Sequence, residues 1–139
     1  MSEDYGNIHP IVKKLLEGVG MTKWLKAEVL ESRPGFCKLQ MTTRKEMANG
    51  FGIIHGSITF ALADSAIAFA SNAHGRHSLS LNTSISHLSS VRVGDVITAE
   101  ATVTKLKHRV ANIDAIILNQ DGVRVADVQS TGYRNKEEW

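Results

Sequence analysis

A second cysteine is missing. Cys37 stands alone among 139 residues, so no disulfide can form within the chain. The opening Met1-Ser2-Glu3-Asp4-Tyr5-Gly6 lacks the basic and apolar regions of a signal peptide, and a cytoplasmic location is the expectation. An excess of one charge is missing too. Sixteen Lys and Arg against fourteen Asp and Glu leave a formal net charge of +2, spread along the whole chain. The dense basic face that binds nucleic acid by counterion release is therefore absent. A lipid-spanning run is the third absence. The stretch poorest in charge, residues 50–73, contains Asp64, His55 and several Ser, Thr and Asn, all of which a membrane helix would have to bury. Neither nucleic acid nor a membrane is expected as a partner. Internal repeats and low-complexity segments are lacking as well.

What remains is a composition 42% hydrophobic and 22% charged, that of a soluble globular protein. A second core would leave neither half of the chain enough apolar area, so residues 1–139 are read as one domain. His9-Pro10-Ile11-Val12 opens an amphipathic run with Ile11, Val12, Leu15, Leu16 and Val19 at helical spacing, closed by Gly18 and Gly20; this predicts a helical segment within residues 1–22. From Trp24 to Thr42 the pattern is strand-like and is split by Arg33-Pro34-Gly35, which predicts a hairpin of strands 26–32 and 36–42. Residues 57–72, rich in alanine and free of Gly and Pro, should form the longest helix. Ile58, Ala61, Leu62, Ala66 and Phe69 make one apolar face, and Phe60, Ile67 and Ala68 make the other sides apolar, so the helix should be buried all round. Beyond it, Ile97, Ala99, Ala101 and Val103, then Ala111, Ile113, Ala115 and Ile117, alternate with polar residues as half-buried strands do. Strands at 77–88 and 123–133 complete the set, with turns at Val93-Gly94-Asp95 and at 119–122 and a polar tail at 134–139. Helix, two strands, helix and four strands, without strand-helix-strand alternation, predict an α+β fold: one antiparallel sheet wrapped around a long central helix.

Within residues 50–73 the only formally charged side chain is Asp64. A carboxylate in the middle of a buried helix is costly unless paired, because desolvation disfavours its ionised form. It is either a general base or nucleophile in a sheltered cleft, or an interface residue bonded to backbone and serine groups. Eight residues earlier, His55-Gly56-Ser57 marks the entry to the helix. The first N–H groups of a helix have no intrahelical partner and carry partial positive charge, so this turn can hold an oxyanion, and Gly56 lets a carbonyl approach closely. Alternatively, Gly50, Gly52 and Gly56 only make a tight turn and Ser57 caps the helix. His55 and Asn49 are candidates by position. Other chemistries lack support: the dinucleotide fingerprint from Gly50 fails at His55, and His74-x-x-His77 has no Cys, Asp or Glu nearby in sequence to complete a metal site. Gly-x-Ser-x-Gly is absent and Cys37 has no catalytic neighbours, so a Ser or Cys nucleophile is unsupported.

Asn49-x-x-Gly52-x-x-His55-Gly56-Ser57, followed by Leu62-Ala63-Asp64 and by Ser65-Ala66-Ile67-Ala68-Phe69-Ala70-Ser71-Asn72, closely resembles the hotdog-fold acyl-CoA thioesterases of the phenylacetate-degradation (PaaI) type. The resemblance continues through Val93-Gly94-Asp95 to Tyr133-Arg134. It implies the hotdog fold and hydrolysis of acyl-CoA thioesters, aryl-acetyl or related, with no metal or prosthetic group, by dimers that often pair into tetramers. It also implies that the Gly56 N–H polarises the thioester carbonyl, that Asp64 activates water or attacks directly, that Asn49 places the thioester or the water, and that His55 supports them. Ser80 matches a polar position beside the attacking water. The departure is Ser57, where the family most often has a second glycine. Lys107 and Arg109, in the cluster Lys105, Lys107, His108 and Arg109, are the candidates for the CoA phosphates. A hotdog dehydratase or hydratase, or a non-catalytic acyl-CoA binding protein, are the alternatives. Gly56 and Asp64 lie roughly 12 Å apart along one helix, too far to serve one thioester, so a homodimer sharing its active sites is expected.

Overall fold

The computed structural model describes residues 8–139, so the reading of Met1 to Gly6 and the beginning of the 1–22 segment lie outside the described residues. Helix α1 (Pro10–Gly18) starts where the sequence pattern places it, with Pro10 at its first position and the His9 ring accepting the Ile11 N–H at 3.2 Å. A second short helix, α2 (Gly20–Leu25), corrects the strand-like reading from Trp24. Its only buried residues are Thr22 and Leu25, one pair at i, i+3, too few to write a helical period. It ends at Lys26, whose left-handed φ of 56° turns the chain into the sheet.

Strands β1 (Glu28–Arg33) and β2 (Phe36–Thr42) form the expected hairpin. Gly35 at its turn has φ 83°, and a Cβ there would stand 2.9 Å from the His74 ring, so both conformation and space demand glycine. Helix α3 (Gly56–Asn72) follows, then β3 (Arg76–His87), β4 (Val96–Leu106), β5 (Val110–Leu118) and β6 (Arg124–Glu138). The six strands form one antiparallel sheet in the order β1-β2-β4-β5-β6-β3. The strand reading understates β6, which runs on through residues expected to be a polar tail. Arg76 lies opposite Glu138, so pairing with the start of β3 satisfies the backbone there.

The sheet curls around α3, which sets Ile58, Leu62, Ala63, Ala66, Ile67, Phe69 and Ala70 into a core shared with Cys37, Leu39, Ile97, Ala99, Ala101, Ile113, Ala115 and Ile117. Alanine on β4 and β5 lets the helix approach closely. At the C-terminal end of α3 the buried Asn72 amide donates to Ala68 O and Ser78 O, and its Oδ1 accepts from Ser78 N and Trp139 Nε1. One side chain thus ties the helix to both β3 and the residue after β6. The expected all-round burial of α3 is not met within one chain: Ser57, Phe60, Ala61, Asp64, Ser65 and Ala68 form a stripe that its own sheet leaves partly open. At the edge of the sheet, β3 has its outer side unpaired among the described residues, with Leu79 and Leu81 exposed. Among the described residues no helix is long and apolar enough to cross a membrane.

Candidate active site

The loop before α3 is built by Asn49. Its Oδ1 accepts the Phe51 N–H at 2.9 Å, its N–H donates to Ile53 O at 2.7 Å, and Gly52, at φ 79°, returns an N–H to Asn49 O. Two further bonds fix the end of the loop: Ile54 N–H to Val91 O at 2.8 Å and His55 N–H to Met47 O at 2.9 Å. The chain then enters α3 through His55, which caps it. The ring Nδ1 accepts the Ser57 N–H at 3.1 Å and lies 2.7 Å from Ser57 Oγ. His55, and not Ser57, is therefore the N-cap, and Ser57 instead holds the capping ring. Gly56, the first helical residue, has an N–H with no intrahelical acceptor at the positive end of the helix dipole.

A recess of about 350 Å³ opens at this turn, lined by Asn49, Ile53, Gly56, Thr59, His87 and Val91 among others. His87, the last residue of β3, is brought there because Leu88 N–H bonds Val125 O while residues 53–54 run beside residues 91–92. A Cβ on Gly56 would stand 3.0 Å from His87 Nε2, so the imidazole lies directly over the glycine. No sequence signal marked His87: it is one histidine in a run of Ser, Thr and Asn, and only the return of β3 toward the helix entry gives it meaning.

Asp64 lies two turns further along α3, in a different recess of about 490 Å³ lined mainly by apolar side chains, among them Val19, Met21, Phe60, Ala61 and Ala68. Among the described residues no hydrogen bond or ion pair holds its carboxylate. Burial without an opposing cation raises its pKa above the ordinary 3.8, which makes it a stronger base than a solvated carboxylate. Asn49 and Gly56 are thus together, while Asp64 of the same chain is apart from them.

Ser80 sits exposed on β3, opposite Gly132 of β6 and just before a bulge, and borders neither recess. Lys107 and Arg109 occupy the exposed β4–β5 turn. Two arginines from distant strands that local sequence could not associate with this turn hold it from beneath: Arg134 donates to Lys107 O and Arg76 to His108 O. Burial and the nearby Arg76 charge lower the Arg134 pKa. Of the two histidines weighed as metal ligands, His74 packs over Gly35 and His77 lies 3.3 Å from Glu137 and against the Trp139 ring.

Residues 51–126 match the family model described as the thioesterase superfamily. A protein of Archaeoglobus fulgidus, provisionally described as an esterase, is 34% identical over 115 residues, covering 83% of this chain and 75% of that one. The acyl-coenzyme A thioesterase PaaI of Escherichia coli is 30% identical over 120 residues, 86% of each chain. The solved structure of the E. coli PaaI protein from the phenylacetic acid degradation operon superposes with a TM-score of 0.90 at 28% identity, covering 92% of this chain and 93% of that one.

Proposed function

The chain belongs to the thioesterase superfamily and is a hotdog-fold enzyme of the PaaI-type acyl-CoA thioesterase class, and we propose that it cleaves aryl-acetyl or related CoA esters in the cytoplasm through Gly56 and the Asp64 of a second copy. The observation that carries this reading is the state of Asp64: a partly buried carboxylate, unpaired among the described residues, on the open stripe of α3 beside an apolar recess. The thioester carbonyl oxygen accepts the Gly56 N–H, which is free to donate at the helix entry. Water adds to the carbonyl carbon as its proton passes to Asp64; the tetrahedral adduct then collapses, the C–S bond breaks, and the Asp64 proton goes to the departing sulfur. Direct attack by Asp64, giving an anhydride that water then opens, uses the same two groups.

The division of labour between copies follows from length. Eight residues of helix separate Gly56 from Asp64 by roughly 12 Å, whereas both groups must lie within about 3 to 4 Å of the reacting carbon or its water. A two-fold axis that sets two α3 helices antiparallel would bring each Gly56 beside the other chain's Asp64 and cover the open stripe. The long unpaired edge of β3, with its exposed Leu79 and Leu81, favours the same pairing, and two such dimers would give a tetramer. Asn49 uses its Oδ1 within the loop, which leaves its amide donors for the thioester or the water. His55 supports the turn as its cap, Ser80 reaches the attacking water only across the interface, and Lys107 and Arg109 meet the CoA phosphates.

Incubation with a panel of CoA thioesters and a free-thiol reagent tests the reading. Thiol release from wild type but not from Asp64→Asn is the expected result. Binding without thiol release would assign a non-catalytic acyl-CoA protein, and conversion of the acyl chain without thiol release a dehydratase or hydratase.

A further inference from the structure

Resting on the reading just given, we propose that His87 is a second hydrogen-bond donor to the thioester carbonyl, acting from its Nε2 beside the Gly56 N–H. Distances carry the inference. His87 Nε2 stands 3.0 Å from the point where a Gly56 Cβ would be. That point lies about 2.5 Å from the Gly56 nitrogen by standard backbone geometry, so the two nitrogens are at most about 5.5 Å apart. One oxygen can accept bonds of about 2.9 Å from two donors only when they lie within about 5.8 Å of each other. The pair meets that condition, and it opens on the recess that Asn49 also lines.

Two further observations agree. Among the described residues the His87 ring has no hydrogen bond or ion pair, so its donor is not committed elsewhere. The absence of a side chain at Gly56 is also explained: any Cβ would press on the imidazole, with Cε1 at 3.1 Å as well as Nε2 at 3.0 Å. Glycine here serves the approach of both the carbonyl and the histidine. His87 forms no covalent bond and transfers no proton in this role. It stabilises the charge that develops on the oxygen, so its contribution belongs to turnover rather than to affinity.

The experiment compares wild type, His87→Phe and His87→Gln in steady-state thiol release, with thermal unfolding and oligomer size as folding controls. Phe fills the space without a donor; Gln restores a donor of similar reach. Phe should lower kcat by about 10- to 100-fold with KM within about threefold, and Gln should recover a clear part of that loss. Phe within twofold of wild-type kcat overturns the proposal, and so does equal loss in both variants, which would make His87 a shape-filling wall. Should Phe fail to fold, His87→Ala replaces it under the same criteria. A wild type that releases no thiol from any CoA ester overturns the underlying function itself and is told apart by that arm alone.

Discussion

Mixing two inactive variants offers the sharpest test of a site divided between chains. Gly56→Pro is suited to the first variant because proline fits the first helical position and deletes the N–H, while its Cβ presses on the His87 imidazole of the same chain, so the loss stays within one copy. The structure accommodates it: His55, the preceding residue, is already extended at φ −61° and ψ 139°, as a residue before proline must be. A Cβ there meets the far end of the His87 side chain rather than backbone, so a turn of the imidazole can relieve the contact. Asp64→Asn is the second variant, since it keeps the shape and removes the proposed base. In a shared-site dimer each mixed molecule has one site with both wild-type groups and one with neither. Random exchange of equal amounts makes about half of all dimers mixed, which gives about one quarter of wild-type turnover per chain, and affinity-purified mixed dimers should reach about one half. Each parent alone should remain on the order of a hundredfold below wild type. The assay is thiol release before and after exchange, with two tags proving that mixed dimers have formed. Mixed dimers no more active than the parents' mean would refute the geometry and return both groups to one chain.

Asp64→Asn alone should raise stability while it lowers turnover by on the order of a hundredfold. Burial raises the Asp64 pKa in the folded state, so the native protein binds the proton more tightly than the unfolded chain; wild-type stability falls as pH rises from the ordinary 3.8 through the raised value. Urea midpoints should show the variant ahead at neutral pH and the gap closing on acidification; a gap that widens on acidification contradicts the burial argument. Asn72→Ala removes four hydrogen bonds at once and should cost about 2 to 4 kcal/mol in urea unfolding, whereas a loss under about 1 kcal/mol would deny that this side chain ties α3 to β3. Charge reversal of Lys107 and Arg109 should raise KM about tenfold for CoA esters and leave truncated thioesters unaffected, because only the former carry phosphates; equal effects on both would remove the turn from the CoA site.

Those elements that bury one face against a single partner were legible in sequence. The alternation on β4 and β5 is readable because every second residue, from Ile97 to Ala101 and from Ala111 to Ile117, is buried on strands that pack against α3. The helix announces itself by seventeen residues without an internal glycine or proline. Elements fixed by distant pairing stay silent. The last residues of β6 are polar, and what makes them a strand is β3, more than fifty residues earlier in the chain. Helix α2 is silent for another reason: six residues with two buried side chains leave no period to detect.

The site divides in the same way. Asp64 and Gly56 are legible because each violates its surroundings, a lone charge in an apolar run and a glycine where a helix begins. Asn49 is found by position, yet its Oδ1 turns out to build the loop, which confines any contact with substrate to its amide nitrogen. His87 violates nothing in sequence; its placement depends on residues 88–92 running back past the helix entry, a non-local event. Expected burial of α3 on every side fails for one chain, and that failure is itself informative. A sheet of six strands covers the face bearing Leu62, Ala66 and Phe69 but not the one bearing Phe60, Asp64 and Ala68. An apolar stripe left open on the chain's central helix exposes area that water disfavours, and a carboxylate set in that stripe is only partly desolvated until something covers it. Covering it with a second copy would complete the desolvation and supply the missing Gly56 in one step, so assembly and activation of the base would be the same event.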